Sequence, residues 1–228
     1  INTRKCVKVL RDKFINITCL LKINDNMLAS GSSYNAIKIW DISKEESVTI
    51  LKGHTNKITC LIKVADNIIA SGSSDSTIRI WDINTGLCLQ VLEGHANKIT
   101  GLVLIDDNVL ISSSLDNSIK VWNINSPNNL ETLIINPTDD KFINLKNKGI
   151  TSLLQMTEDS FISVGNEGYI KLCTTQGKLK KYFYEETKIA DITRLDSKTF
   201  ATCSKNSIKI WNTDSEDPIQ NIDILSAN

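Results

Sequence analysis

The sequence predicts an all-β protein built by repeating one four-stranded unit, and three observations lead there. A short motif returns at a fixed interval: Ile37-Lys38-Ile39-Trp40-Asp41 recurs as Ile78-Arg79-Ile80-Trp81-Asp82 and Ile119-Lys120-Val121-Trp122-Asn123, with the tryptophans 41 residues apart. Between these landmarks the chain alternates short runs rich in Ile, Val and Thr with polar turn residues, the pattern of half-buried strands. No segment sustains a 3.6-residue apolar period, so no amphipathic helix is expected.

The elements follow in order. Cys6–Leu10 reads as an isolated outer strand, matching Cys88–Leu92 in the complete repeat. The first full unit ends near Trp40. In the second, Lys57–Ile62 is a strand ended by Ala65-Asp66-Asn67, and Ile68–Ser73 is a second ended by Ser74-Asp75-Ser76. Thr77–Trp81 is the third strand, Asn84-Thr85-Gly86 a turn, and Cys88–Leu92 the fourth. The third unit ends near Trp122. The fourth carries Ile170-Lys171-Leu172-Cys173, with cysteine in the tryptophan slot, 51 residues on. The fifth restores the tryptophan in Ile208-Lys209-Ile210-Trp211-Asn212, and Ile219–Leu225 is its outer strand. Internal periods near 40 residues mark stacked or radial repeat architectures, each unit covering its neighbour's apolar face.

Composition narrows the function classes. With 228 residues, 41% of them hydrophobic, the chain has ample material for a core. Its longest mostly apolar run, Ile99–Ile105 with one threonine, is far short of a membrane-spanning helix. Lys plus Arg and Asp plus Glu both number 26, so no net charge steers the chain to nucleic acid or anionic lipid. The six cysteines lack zinc spacing. Cys19 and Cys60 lie one period apart and Cys6 and Cys88 two, as buried fillers in a reducing cytoplasmic or nuclear setting would. The start at Ile1, without a secretory signal pattern, reads as a fragment of a longer chain.

Gly53-His54 and Gly94-His95 each stand 21 residues before an Asp and 27 before a Trp. With the Trp-Asp copies, these dipeptides make the whole chain, residues 1–228, resemble the WD40-repeat family, closest in flavour to the propellers of F-box adaptors and related scaffolds. The resemblance implies a single β-propeller domain of four-stranded blades. Five blades are visible plus the extra N-terminal strand. That surplus favours part of a larger, seven-bladed ring, with a complete five-bladed ring as the alternative.

The resemblance also implies a tetrad knitting each complete blade: His54, Ser71, Asp75 and Trp81 in the second, and His95, Ser112, Asp116 and Trp122 in the third. In it the imidazole bridges the carboxylate and the hydroxyl, which accepts from the indole N–H. A Ser–His–Asp set also invites a hydrolase reading. These are the only two histidines, and both occupy the family's structural positions, so the structural reading prevails. Blades 1, 4 and 5 carry Lys13, Lys146 and Lys188 in the His slot, and Tyr34, Glu167 and Lys205 or Asn206 in the Asp slot. Ser30, Ser163 and Thr202 keep the hydroxyl. Losing His and Asp together avoids a lone buried polar group, so these three blades are expected to rely on apolar packing.

Partner-facing positions in the family lie three and five residues after the His slot and one before the Asp slot. Residue by residue, these are Asn16, Lys57, Lys98, Gly149 and Asp191; Thr18, Thr59, Thr100, Thr151 and Thr193; and Ser33, Ser74, Leu115, Asn166 and Ser204. Propellers that read phosphorylated degrons place arginines here, whose guanidinium forks match phosphate. The chain's only arginines are Arg4, Arg11, Arg79 and Arg194, which argues against that role.

Two further stretches stand out. The long connection 136–148, with Phe142 and Ile143 among charges, is a candidate binding loop. The run Lys178–Tyr184, basic and aromatic beside Glu185 and Glu186, could form a nucleic-acid or lipid strip, though its alternation fits a half-buried strand. No phosphate-binding glycine loop or metal-ligand cluster is present in the sequence, and no cofactor or small-molecule substrate is expected. The expected function is a non-catalytic scaffold binding a protein or peptide on the top rim, by analogy as a substrate-recruiting adaptor, with a lipid- or nucleic-acid-binding propeller as the alternative and an enzyme last.

Overall fold

The computed structural model of the chain describes residues 6, 9–10, 16–125, 130–133, 149–166 and 168–223. They form twenty β-strands in five antiparallel four-stranded sheets, each with its strands in sequence order. The chain divides into two compact units, Ile1–Gly94 and His95–Asn228.

The first unit holds two sheets. One contains β1 (Ile17–Lys22), β2 (Met27–Ser32), β3 (Ala36–Asp41) and β4 (Glu46–Lys52); the other contains β5 (Ile58–Lys63), β6 (Ile68–Ser73), β7 (Ile78–Asp82) and β8 (Cys88–Leu92). Their facing sides make one core: Ala29, Ile37, Ile39 and Leu51 of the first sheet pack with Ile58, Ile69 and Trp81 of the second. All seven are at most 1% exposed. Each large aliphatic side chain so buried contributes about 1.5–3 kcal/mol, which explains why neighbouring repeats need each other.

The second unit holds three sheets: β9 (Ile99–Leu104), β10 (Val109–Ser114), β11 (Ile119–Asn123) and β12 (Leu130–Leu133); β13 (Ile150–Thr157), β14 (Ser160–Gly165), β15 (Tyr169–Thr174) and β16 (Leu179–Tyr184); and β17 (Asp191–Arg194), β18 (Thr199–Cys203), β19 (Ser207–Asn212) and β20 (Gln220–Asp223). Ile111 and Ile119 pack on Ile150, Phe161 and Cys173. Ile162, Ile170 and Phe183 pack on Ile192, Phe200 and Trp211. The fourth sheet thus fills its tryptophan-less slot with buried Cys173 paired to Phe161.

Local chemistry explains the turns. The Asp or Asn after each tryptophan closes the turn into the fourth strand. Asp82 Oδ1 accepts from the N–H of Asn84 and Thr85 at 2.8 and 3.1 Å, and Asn123 and Asn212 repeat the bond with Asn125 and Asp214. This Asx turn lets a short polar side chain stand in for a backbone carbonyl. The second-to-third-strand turns need a left-handed residue, filled by Asn35, Ser76, Asn117 and Gly168. At Gly168 nothing larger fits, because a Cβ there would overlap the Glu185 carbonyl.

The repeated threonines have a structural cause too. In the first four sheets the register of the first two strands slips at Thr18, Thr59, Thr100 and Thr151, so each occupies a β-bulge. In the last sheet Thr193 sits in regular register opposite Ala201. The expected extra strand at 6–10 lies largely outside the described residues, and Cys6, Val9 and Leu10 belong to none of the described strands.

Candidate functional site

In the second sheet His54 Nδ1 donates to Asp75 Oδ2 at 2.7 Å, and Nε2 meets Ser71 Oγ at 2.8 Å. The carboxylate fixes the tautomer, so Nε2 accepts the serine proton. The Trp81 indole N–H then donates to Ser71 Oγ at 2.7 Å. The third sheet repeats the arrangement with His95, Asp116, Ser112 and Trp122, all at 2.7 Å. Ser71 and Ser112 are 0% exposed, so no substrate carbonyl reaches either hydroxyl. A serine already accepting from an indole and donating to an imidazole is a clasp, and this geometry argues against the hydrolase reading.

Electrostatics fit that role. Burial pushes both imidazole pKa values down, outweighing the pull of the neighbouring carboxylates. Burial also pushes Asp75 and Asp116 up. Hydrogen bonds from Thr77 or Ser118, from nearby backbone N–H groups and from the histidine overcome it and hold each carboxyl at about 2.

The last sheet departs from expectation. Lys188 is exposed, and the His position is taken by Glu185, which is completely buried. Thr202 Oγ1 donates to Glu185 Oε2 at 2.7 Å, and Trp211 Nε1 donates to Thr202 Oγ1 at 2.9 Å. Thr187 Oγ1 adds a longer bond to Glu185 Oε1 at 3.3 Å. Glu185 stands 17 residues before its hydroxyl, as His54 and His95 do before theirs. The sheet is therefore clasped by a polar relay, not by apolar packing alone, and Glu185 is no solvated flank of the aromatic strip. Lys188 stands five residues before Thr193, but Thr193 is not the equivalent of Thr59, and counting 27 back from Trp211 gives Tyr184 because this sheet has 9 residues from hydroxyl to indole where the complete ones have 10. Counting from the hydroxyl finds it. In the first sheet Trp40 donates to Ser30 at 2.8 Å. Lys13, Lys146 and Glu167 lie outside the described residues.

The rim positions pair systematically. The residue before the Asp slot donates its N–H to the carbonyl three after the His slot: Ser33 to Asn16, Ser74 to Lys57, Leu115 to Lys98 and Asn166 to Gly149, at 2.9–3.2 Å. In the last sheet the register puts Lys188 and Ala190, not Asp191 and Thr193, at the positions equivalent to Lys57 and Thr59, and Ser204 is tied instead to Ser207. Within the second unit the third and fourth sheets meet at this level. A Cβ on Gly149 would lie 2.7 Å from Leu115 Cδ2 and 3.2 Å from Asn166 Nδ2. The Gly149 N–H also donates to Asn117 Oδ1. Leu115, Gly149 and Asn166 thus form one contiguous spot, with Lys98 bound to Leu115. The bulge threonines turn inward: Thr18 Oγ1 donates to the Ile58 carbonyl at 2.7 Å, Thr151 to that of Val164, and Thr100 bonds Ser113 Oγ. Phe142 lies outside the described residues.

A family profile described as "WD domain, G-beta repeat" matches residues 4–41, 45–82 and 86–123. The chain belongs to the WD40-repeat family. Its fold is that of the WD40 β-propellers, with five four-stranded blades among the described residues. No curated protein sequence matches the chain. Among solved structures, the computationally designed Ika8 protein is 26% identical over 90% of this chain and 61% of that one, with a TM-score of 0.73. U3-55K is 21% identical over 95% of this chain and 67% of its own, and the WD40 repeats of RRP9 are 22% identical over 95% and 66%, each with a TM-score of 0.82. The chain therefore spans about two thirds of the length of these structures. At the last two identities the likeness is one of fold. Proteins of this family typically serve as non-catalytic interaction scaffolds.

Proposed function

We propose that this WD40 chain is a non-catalytic platform in the cytoplasm or nucleus that binds a peptide or loop of a protein partner on its blade-end loops, as a substrate-recruiting adaptor would. The observation that carries the reading is the convergence of Leu115, Gly149 and Asn166 from two successive blades, with Lys98 beside them. An apolar side chain and an amide at one spot, on a loop whose backbone is tied to that of Lys98, are the groups a peptide needs for packing and backbone pairing, with a lysine close in the chain for carboxylate recognition. Lys57 offers the same cation in the first unit, with its backbone carbonyl likewise bonded to Ser74. Neither lysine is in an ion pair among the described residues.

The test is affinity capture from cell lysate with wild type and with Lys98→Glu/Leu115→Asp and Lys57→Glu variants, each checked for an unchanged melting temperature. The reading expects a specific protein to be captured by wild type and lost with the double variant. Capture of the same proteins by all three chains removes the blade-end site.

A further inference from the structure

The last two blades frame a groove of about 480 Å³ along the outer strand β16. Its far wall exists because the turn between β19 and β20 is long: seven residues, 213–219, against four in the first blade and five in the second. That turn is pre-formed. Ser215 Oγ donates to the carbonyls of Asn212 and Asp217 at 3.2 and 2.9 Å, Asp214 pairs with Lys198 at 2.7 Å, and the Ile219 N–H returns to the Ile210 carbonyl. Pro218 stiffens its end.

The groove's charges are unequally committed. Lys181 reaches across the floor to the Thr213 carbonyl at 3.2 Å and lies 5.5 Å from the centre of the Phe183 ring. Lys180 turns to Asp159 at 3.7 Å. Glu216 and Asp217 on the facing wall are exposed and join no ion pair among the described residues. Tyr182 and Tyr184, spaced two apart on β16, stand 43% and 50% exposed along the groove. The rings give an aromatic rail on one side; the other carries the two carboxylates, whose charges no ion pair among the described residues takes up, while the Lys181 ammonium is tied down at the Thr213 carbonyl.

We propose that this groove is a second docking surface, which takes an extended, basic segment of a protein partner. A strand alternates its side chains. Laid along β16, such a segment directs apolar residues onto Tyr182 and Tyr184 and lysines or arginines toward Glu216 and Asp217. The opposed carboxylates disfavour an acidic peptide or a nucleic-acid backbone here, although β16 itself is basic and aromatic. The surface is independent of the blade-end reading and shares no residue with it.

The probes are fluorescein-labelled peptides of five Lys-Val repeats and five Glu-Val repeats and a ten-nucleotide oligothymidylate, titrated by anisotropy at 0.15 M salt. The lysine peptide is expected to bind and the other two are not. Glu216→Gln/Asp217→Asn is expected to weaken the lysine peptide about tenfold, and Tyr184→Ser to weaken it without altering its salt dependence. Unchanged affinity in the double variant overturns the proposal, as does the absence of lysine-peptide binding at millimolar protein. Preferential binding of the glutamate peptide or of oligothymidylate, lost in Lys180→Ala, reassigns the strip to acidic segments or nucleic acid. The surface substitutions leave the clasp intact, and matching melting curves exclude loss of fold.

Discussion

The substitution Thr202→Val tests the clasp of the last blade with little change in shape. Valine replaces one hydroxyl by a methyl, and that hydroxyl is the hub of the relay: it accepts from Trp211 at 2.9 Å and donates to Glu185 at 2.7 Å. Both partners are buried, Trp211 at 2% exposed and Glu185 at 0%. A neutral hydrogen bond contributes about 1 kcal/mol and one to a carboxylate about 1.5–3, so the pair sums to about 2.5–4 kcal/mol. In a chain of this size that lowers the melting temperature by about 5–16 °C. Ser30→Ala in the first blade is the control. Its hydroxyl accepts from Trp40 at 2.8 Å, so about 1 kcal/mol is expected there. Guanidinium denaturation at 25 °C, read by circular dichroism and tryptophan fluorescence together, measures both and reveals whether the two units unfold separately. A loss below about 1 kcal/mol for Thr202→Val, or one no larger than that of the control, would refute the relay and mean that water satisfies Glu185.

Two further outcomes follow from the buried charges. His54 and His95 have folded pKa values below the ordinary 6.5, so the unfolded chain binds more protons in mild acid. Stability is therefore full above pH 6.5 and falls as the pH drops below it. A second loss comes between 3.8 and about 2, where Asp75 and Asp116 protonate, and Asp75→Asn removes its share of that second step. A denaturation midpoint that stays flat from pH 7 to pH 5 contradicts the histidine assignment. Separately, Lys171 is 5% exposed, its Nζ has no hydrogen-bond partner, and burial pushes its pKa down. In three tryptophan-bearing blades the equivalent Lys38, Arg79 and Lys209 rest about 6 Å from an indole centre, but here the slot holds Cys173. Lys171→Met is expected to leave stability unchanged or raise it by about 1–3 kcal/mol, measured by the same denaturation. A clear loss would show that the ammonium is solvated.

Sequence alone determined what is local and periodic. The interval of 41 residues, the alternation within each run and the polar residue after each tryptophan specified the four-stranded units and their turns, because a strand's side-chain period and an Asx turn depend on near neighbours only. The two complete tetrads were legible for the same reason: their members recur at the same offsets wherever the blade is unmodified. Only the tertiary structure decided what depends on register and on contacts between sheets. Glu185 was hidden because Thr193 looks like the bulge threonines of the other repeats but sits three residues past their position, and burial of a carboxylate becomes visible only once Thr202 is seen beneath it. Four of the five repeated threonines proved to be bulge residues because strand pairing, not composition, sets where a register slips. The meeting of Leu115, Gly149 and Asn166, and the groove beside β16, each join segments far apart in the chain. Packing brings such segments together, and no short-range pattern records it.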